Sequence, residues 1–289
     1  MAERFVLSLI RRSLKKIHEE ISRKNEDFWD EPCGSQLARF LGVKDASEAS
    51  LLKFDQWYLD FYPYLEKHIS FTKLNGLNVL EVGLGYGTVA QRLVEHGAVY
   101  SGLDIALGPV KMVRHRIKQI KLEGNVMQGS ILQPPFPDQS FDAIVAIGCL
   151  HHTGDLQLAI DECYKLLKPG GSLIFMVYYA YSYRRWIQNT SATLKYLLRE
   201  IFGDRGVVEK ADAKQRSAYD INLKSEAAPH TDWISKKSLR NYCKKFSQCE
   251  MSLENIDQAT PFKSRERAEL LKTIWPKLMG LDLYVKATR

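Results

Sequence analysis

Three glycines at alternate positions, Gly83, Gly85 and Gly87, follow the apolar run Val79-Leu80-Glu81-Val82 and precede Thr88. The order strand, glycine-rich turn, helix brings a backbone without β-carbons close to a ligand. It also aims the unpaired N–H groups of a new helix, about 88–96, at that ligand. Two acids frame the turn. Glu81 stands two residues before the first glycine, where a carboxylate suits a cationic amino group better than a pyrophosphate. Asp104 ends the next apolar strand, 99–104, where a carboxylate suits the hydroxyls of a ribose. Further on, His151 and His152 follow the fourth apolar strand, at the edge where open α/β sheets bind ligands. Imidazole is the usual base for taking a hydroxyl proton near neutral pH. The plainer use of one of them is to cap the helix that starts near Thr153-Gly154-Asp155, and the sequence does not choose between the two.

The glycines, Glu81 and Asp104 together point to S-adenosylmethionine rather than to a dinucleotide. Three further segments match a known pattern in order and spacing. They are Gln128-Gly129-Ser130-Ile131 followed by Pro135-Phe136-Pro137-Asp138-Gln139-Ser140-Phe141-Asp142, then Leu150-His151-His152, then Leu167-Lys168-Pro169-Gly170-Gly171. On these the chain resembles class I, Rossmann-like S-adenosylmethionine-dependent methyltransferases of the type 11 or ubiquinone-biosynthesis-like group, strongly over 75–180 and loosely beyond. The resemblance implies S-adenosyl-L-methionine as donor, S-adenosyl-L-homocysteine as product and no metal. It implies cofactor contacts at Glu81, Gly83, Gly85, Gly87, Asp104, Ile105, Ser130, Ile131, Gly148 and Cys149, and catalysis by His151 or His152. Ser130 departs from the pattern, standing where an aspartate usually holds the adenine amino group. Cys149 reads as a small buried thiol rather than a nucleophile.

Acceptor contacts are expected at Tyr178 and Tyr181, after the fifth strand, and at His230, Asp232 and Trp233, after Pro229. The competing readings are aromatic packing for the tyrosines and the start of a helix at 236–246 for the second group. The expected reaction is methyl transfer to a small molecule, at oxygen, on an anionic or aromatic acceptor such as a sugar derivative or natural-product intermediate. Methylation at nitrogen, methylation of nucleic acid or protein, and a non-catalytic cofactor-binding module are the alternatives. A nicotinamide enzyme would want Gly-x-Gly-x-x-Gly, but Thr88 takes the last glycine's place. Nucleic-acid methyltransferases carry a Pro-Pro-aromatic motif after the fourth strand; Pro134-Pro135-Phe136 falls before it. A binding module would be expected to have lost its glycines, and these are intact.

Composition sets the bounds. An apolar fraction of 45% and a charged fraction of 26% are ordinary for a globular chain, and no run approaches the roughly 18 apolar residues of a membrane span. Arg11-Arg12 interrupts the first apolar stretch, so no secretory signal is expected. Five cysteines without a Cys-x-x-Cys pair suit reduced thiols and a cytoplasmic setting. Residues 178–249 hold 14 Lys and Arg against 7 Asp and Glu, which accounts for the whole net charge of +7 and could steer an anionic acceptor.

Regular β–α alternation predicts a Rossmann-like, seven-stranded, mostly parallel sheet with helices on both faces and the last strand antiparallel. Strands are expected near 78–83, 99–104, 125–128, 141–147, 172–178, 251–256 and 283–287. The division is an N-terminal helical extension covering the cofactor at 1–74, the binding core at 75–179, a helical insertion after the fifth strand at 180–248, and two closing strands at 249–289. In the extension, an amphipathic helix over 3–21, a turn-rich loop over 28–34 and an aromatic helix over 50–68 are expected. The insertion reads as a mobile cover of the acceptor site, or alternatively as a homodimer contact through Leu194–Leu198.

Overall fold

The computed structural model describes residues 2–31, 35–208 and 211–289, with side chains of the first helix from Lys16 onward. An eight-stranded sheet runs β3-β2-β1-β4-β5-β8-β7, with β6 pairing on β5. The strands are β1 (Asn78–Val82), β2 (Val99–Asp104), β3 (Asn125–Gln128), β4 (Phe141–Ile147), β5 (Leu167–Tyr179), β6 (Trp233–Ile234), β7 (Gln248–Glu254) and β8 (Asp282–Thr288). All pair in parallel except β8, which is antiparallel to both β5 and β7.

Alternation along each strand feeds two cores. Leu80, Ile144, Leu173 and Ala287 lie side by side in register and join the core under helix Leu156–Leu166. Their neighbours Val79, Ala143 and Ile174 face the other way, into the core beneath helices Thr88–Glu95 and Leu107–Gln119. The strand order reverses between β1 and β4, which opens a crevice at their carboxyl ends.

Several local expectations change. The first helix runs Ala2–Trp29, so Phe28 and Trp29 belong to it rather than to a loop. No glycine or proline interrupts the chain before Pro32. The aromatic helix is two helices, Glu48–Phe61 and Leu65–Ile69, because Pro63 removes a donor and restricts the residue before it. Of the 28–34 loop, residues 32–34 lie outside the described residues, as do the side chains of the 3–21 helix before Lys16. Strand β6 was not expected; it docks on Tyr178 and Tyr179, beyond the last β4–β5 pair at Ile147 and Met176.

The insertion holds helices Tyr183–Gln188, Thr190–Ile201, Ala213–Ser217 and Lys236–Tyr242. Ala180, Tyr196, Val208 and Trp233 form a small buried cluster within it, while Leu239, Cys243 and Phe246 join the main core. No described helix is long and apolar enough to cross a membrane.

Candidate functional site

The chain leaves β1 through three glycines in the left-handed region, Gly83 at φ +77°, Gly85 at +50° and Gly87 at +83°. Packing demands two of them as well. A β-carbon on Gly83 would sit 2.4 Å from the Cys149 β-carbon, and one on Gly87 would sit 2.8 Å from Arg116 Cδ. The loop is thus pressed against the end of β4 on one side and a buried arginine on the other. Cys149 Sγ donates to the Val82 carbonyl at 2.9 Å, and burial holds its thiol well above the ordinary pKa, so it is neutral.

Arg116 is fully buried and clasps Asp55 of helix Glu48–Phe61 through Nη1 at 2.8 Å and Nη2 at 3.0 Å. Asp55 also accepts from Thr88 Oγ1 at 2.6 Å. The ion pair therefore ties the N-terminal extension to helix Leu107–Gln119, and the Thr88 bond ties it to the helix that starts at the glycine loop. Beside it Phe54 stacks on Tyr86, the rings 4.2 Å apart.

Asp104 is buried and has both carboxylate oxygens engaged. It accepts from Leu84 N at 2.7 Å and from Ala106 N at 2.9 Å. Burial pushes its pKa up to about 6, against the pull of those backbone donors. A carboxylate offers about four acceptor positions, so roughly two remain for ligand hydroxyls. Glu81 accepts from Tyr100 Oη at 2.6 Å, and burial pushes it up to about 8. It is therefore largely protonated at neutral pH until a cation arrives nearby.

The crevice at this end of the sheet is a cleft enclosing about 1110 Å³ of empty space, its solvent-open mouth included. Glu81, Gly83, Gly85, Gly87, Asp104, Ile105, Ser130, Ile131, Gly148 and Cys149 all line it. Ser130 Oγ is turned back to accept from Leu132 N at 3.2 Å. Three walls were not anticipated individually: Ser22, Asn25 and Trp29 from the first helix, Phe54 and Tyr58 from the aromatic helix, and Thr153. For the five residues of the two helices the only advance signal was the expectation that the helices before β1 cover the cofactor. The cradle fits an adenosyl cation: glycines where a side chain would intrude, spare acceptors on Asp104, and a protonatable acid at Glu81.

The two histidines have different surroundings. His151 is fully buried with neither ring nitrogen hydrogen-bonded, and burial holds it well below the usual pKa. It packs on Tyr178 at 4.3 Å and does not line the cleft. His152 does line the cleft, with Trp29 5.0 Å away across it. Its Nδ1 is 2.7 Å from the His230 carbonyl, which fixes the ring proton on Nδ1, while Nε2 is buried without a hydrogen-bond partner, 3.6 Å from Asp220 Oδ2. The backbone is pinned as well. Asn25 Nδ2 donates to the His152 carbonyl at 2.6 Å, and Asp232 N donates to the His151 carbonyl at 2.8 Å.

The expected acceptor residues are placed less directly. Tyr178 Oη reaches Asp220 at 3.0 Å, and Tyr181 Oη donates to Glu200 at 3.1 Å within the insertion. Trp233 is fully buried under Arg185, a strand residue rather than a wall of the cleft. His230 and Asp232 pair with each other at 3.0 Å and line a second hollow with Arg216. Much of the basic excess is used internally: Arg184 pairs with Asp257 and Arg199 with Asp204, while Arg216 donates to the Ala228 carbonyl.

Residues 80–175 match a family described as a methyltransferase domain. Over those residues the chain is similar to a methyltransferase domain, carried on the class I fold. A ubiquinone biosynthesis O-methyltransferase of Coxiella burnetii is 34% identical over 112 residues, which are 39% of this chain and 47% of that one. A demethylmenaquinone methyltransferase of Tropheryma whipplei is 34% identical over 100 residues, 34% of this chain and 41% of that one. The chain thus spans less than half the length of these curated relatives. A solved S-adenosylmethionine-dependent methyltransferase from Mesorhizobium loti superposes with a TM-score of 0.52 at 18% identity, covering 80% of this chain and 100% of that one, and shows the shared fold. Among the described residues no group of three or more His, Cys, Asp or Glu is arranged to hold a metal.

For this methyltransferase domain, Asp104→Ala is expected to weaken cofactor binding by about 1.5–3 kcal/mol, roughly 10- to 150-fold. Titration calorimetry with S-adenosylhomocysteine checks it, and unchanged affinity would remove Asp104 from the site. In the wild-type protein the same titrations should show a proton released below pH 8. A bound ammonium group lowers the raised pKa of Glu81, so affinity climbs as pH rises toward 8 and then levels.

Proposed function

We propose that the protein transfers a methyl group from S-adenosylmethionine to the hydroxyl oxygen of a small molecule, with His152 as the base. One observation carries this reading. His152 and the glycine loop line the same cleft, and the His152 ring keeps one nitrogen, the buried Nε2, without a hydrogen-bond partner. The bound sulfonium supplies an activated methyl group, so the chain's own work is alignment, exclusion of water and removal of the hydroxyl proton. Asp104 holds the ribose hydroxyls and Glu81 the amino end. Trp29, Phe54 and Tyr58 provide flat apolar walls for an acceptor with a ring, a sugar derivative or natural-product intermediate, carrying an anionic group if the remaining basic residues steer it. Similarity to a ubiquinone biosynthesis O-methyltransferase supports oxygen as the acceptor atom. The first helix and residues 180–248 form the acceptor-side cover, in a cytoplasmic enzyme.

The test is transfer itself. Incubating the protein with methyl-labelled cofactor and a small-molecule extract of its source organism should place label on an oxygen of one low-molecular-mass product. Label found only in protein or nucleic acid, or left entirely on the cofactor, would reject the proposal.

A further inference from the structure

The second hollow lies beside the donor cleft and encloses about 700 Å³ of empty space, its solvent-open mouth included. Gly154 lines it and the preceding Thr153 lines the cleft, so the two adjoin along the chain. Three hydrogen-bond donors meet in its lining. Arg216 is the first. Its Nε donates to the Ala228 carbonyl at 2.7 Å and its Nη1 to the Ala211 carbonyl. These bonds hold the guanidinium in place, yet both partners are neutral and most of its N–H donors stay unused. No carboxylate among the described residues forms an ion pair with it.

His230 is the second donor. Its Nε2 is 3.0 Å from Asp232 Oδ1, and its Nδ1 has no hydrogen-bond partner among the described residues. Burial pulls its pKa down, but the Asp232 carboxylate outweighs burial and the net shift is upward. Tyr242 is the third. Burial pushes its phenol up to about 12, so the hydroxyl keeps its proton, and no described residue accepts from it.

We infer that this hollow is an oxyanion site, which takes a carboxylate or phosphate group against Arg216, His230 and Tyr242. Charge balance decides the sign of the ligand. Asp155 and Asp232 also line the hollow, and both are already engaged. Asp232 is paired with His230, while Asp155 accepts from Leu158 N at 2.9 Å and has His18 Nε2 at 3.5 Å. Of the four charged residues in the lining, Arg216 is the one whose partners are all neutral. A cation would be repelled by it, and a neutral ligand would leave its charge uncompensated. The planar fork of a guanidinium matches the paired oxygens of a carboxylate or phosphate. That group belongs either to the methyl acceptor, reaching past Thr153, or to a separate small anion, and both present the same oxygens.

The binding test uses the full chain without cofactor or acceptor, so its outcome is separate from that of the labelled-extract assay. Protein labelled with ¹⁵N-histidine is titrated with inorganic phosphate and, separately, with acetate. The His230 ring resonances should move and saturate in the millimolar range with at least one of them. Arg216→Gln should weaken that binding about tenfold or more, while affinity for S-adenosylhomocysteine stays within about twofold. Tyr242→Phe removes one hydroxyl and should weaken it about threefold, which decides the matter if Arg216→Gln does not fold. During methyl transfer, an anion that competes with the acceptor assigns the group to the acceptor, and one that binds beside it assigns a separate anion. No saturation with either anion, or an anion affinity unchanged in the folded variants, overturns the site.

Discussion

His152→Ala should lower the rate of methyl transfer by about 10²- to 10⁴-fold, the usual worth of a positioned general base. Cofactor affinity should stay within a few-fold, because His152 meets the acceptor side of the cleft and the glycine loop is untouched. The loss should appear in kcat rather than in the cofactor KM. His151→Ala is the informative control. Its ring is fully buried beside Tyr178 with both nitrogens unpartnered. Removing it leaves a cavity and should lower stability by a few kcal/mol, with transfer by the folded fraction largely kept. Rate measurements on each single variant and on the double variant, with the labelled product as readout, separate the two. Wild-type turnover in all three would eliminate an imidazole base altogether.

Asp55→Ala should cost about 3–5 kcal/mol of stability, because it strands a fully buried guanidinium. For a domain of this size that corresponds to a melting temperature lower by roughly 6–20 °C. The mechanism is an uncompensated charge rather than a lost attraction, and this gives a sharper check. Asp55→Ala combined with Arg116→Met removes both charges and should recover most of the loss, whereas independent contributions would add. Scanning calorimetry of the two single variants and the double variant decides it, and a drop under about 2 °C for Asp55→Ala would show that the pair is not truly desolvated. Cofactor binding should weaken along with stability, since Thr88 loses its 2.6 Å partner at the start of the loop helix.

The donor half of the cleft was legible because its parts are neighbours in the chain. Gly83 to Gly87 follow β1 directly, and Asp104 reaches back only 20 residues to Leu84 N. Strand, turn and helix signals suffice for such contacts. The acceptor half depends on contacts with no local signature. Asn25 meets the His152 carbonyl across 127 residues, and the insertion residues Asp220 and His230 meet the His152 ring from far along the chain. Trp233 illustrates the cost of reading composition without partners. Next to His230 and Asp232 it suggested a binding loop, but a two-residue strand on Tyr178 and Tyr179 turns it into the buried centre of the insertion. The break at Pro63 shows the reverse, a local rule present in the sequence and outweighed in the reading by a run of aromatics.

The Asn25–His152 contact has a consequence for the order in which the cleft comes together. Chain entropy charges for a closed loop as about 1.5 RT times the logarithm of its length. Spanning 127 residues instead of the 20 that separate Leu84 from Asp104 therefore costs about 1.6 kcal/mol more. The donor cradle can close while the rest of the chain is still searching, whereas the surroundings of His152 must wait for both flanks to arrive. On unfolding the sequence reverses, so the amide of Asp232, bonded to the His151 carbonyl, should exchange with solvent before that of Leu84. The molecule would then lose its grip on an acceptor while it still holds its methyl donor.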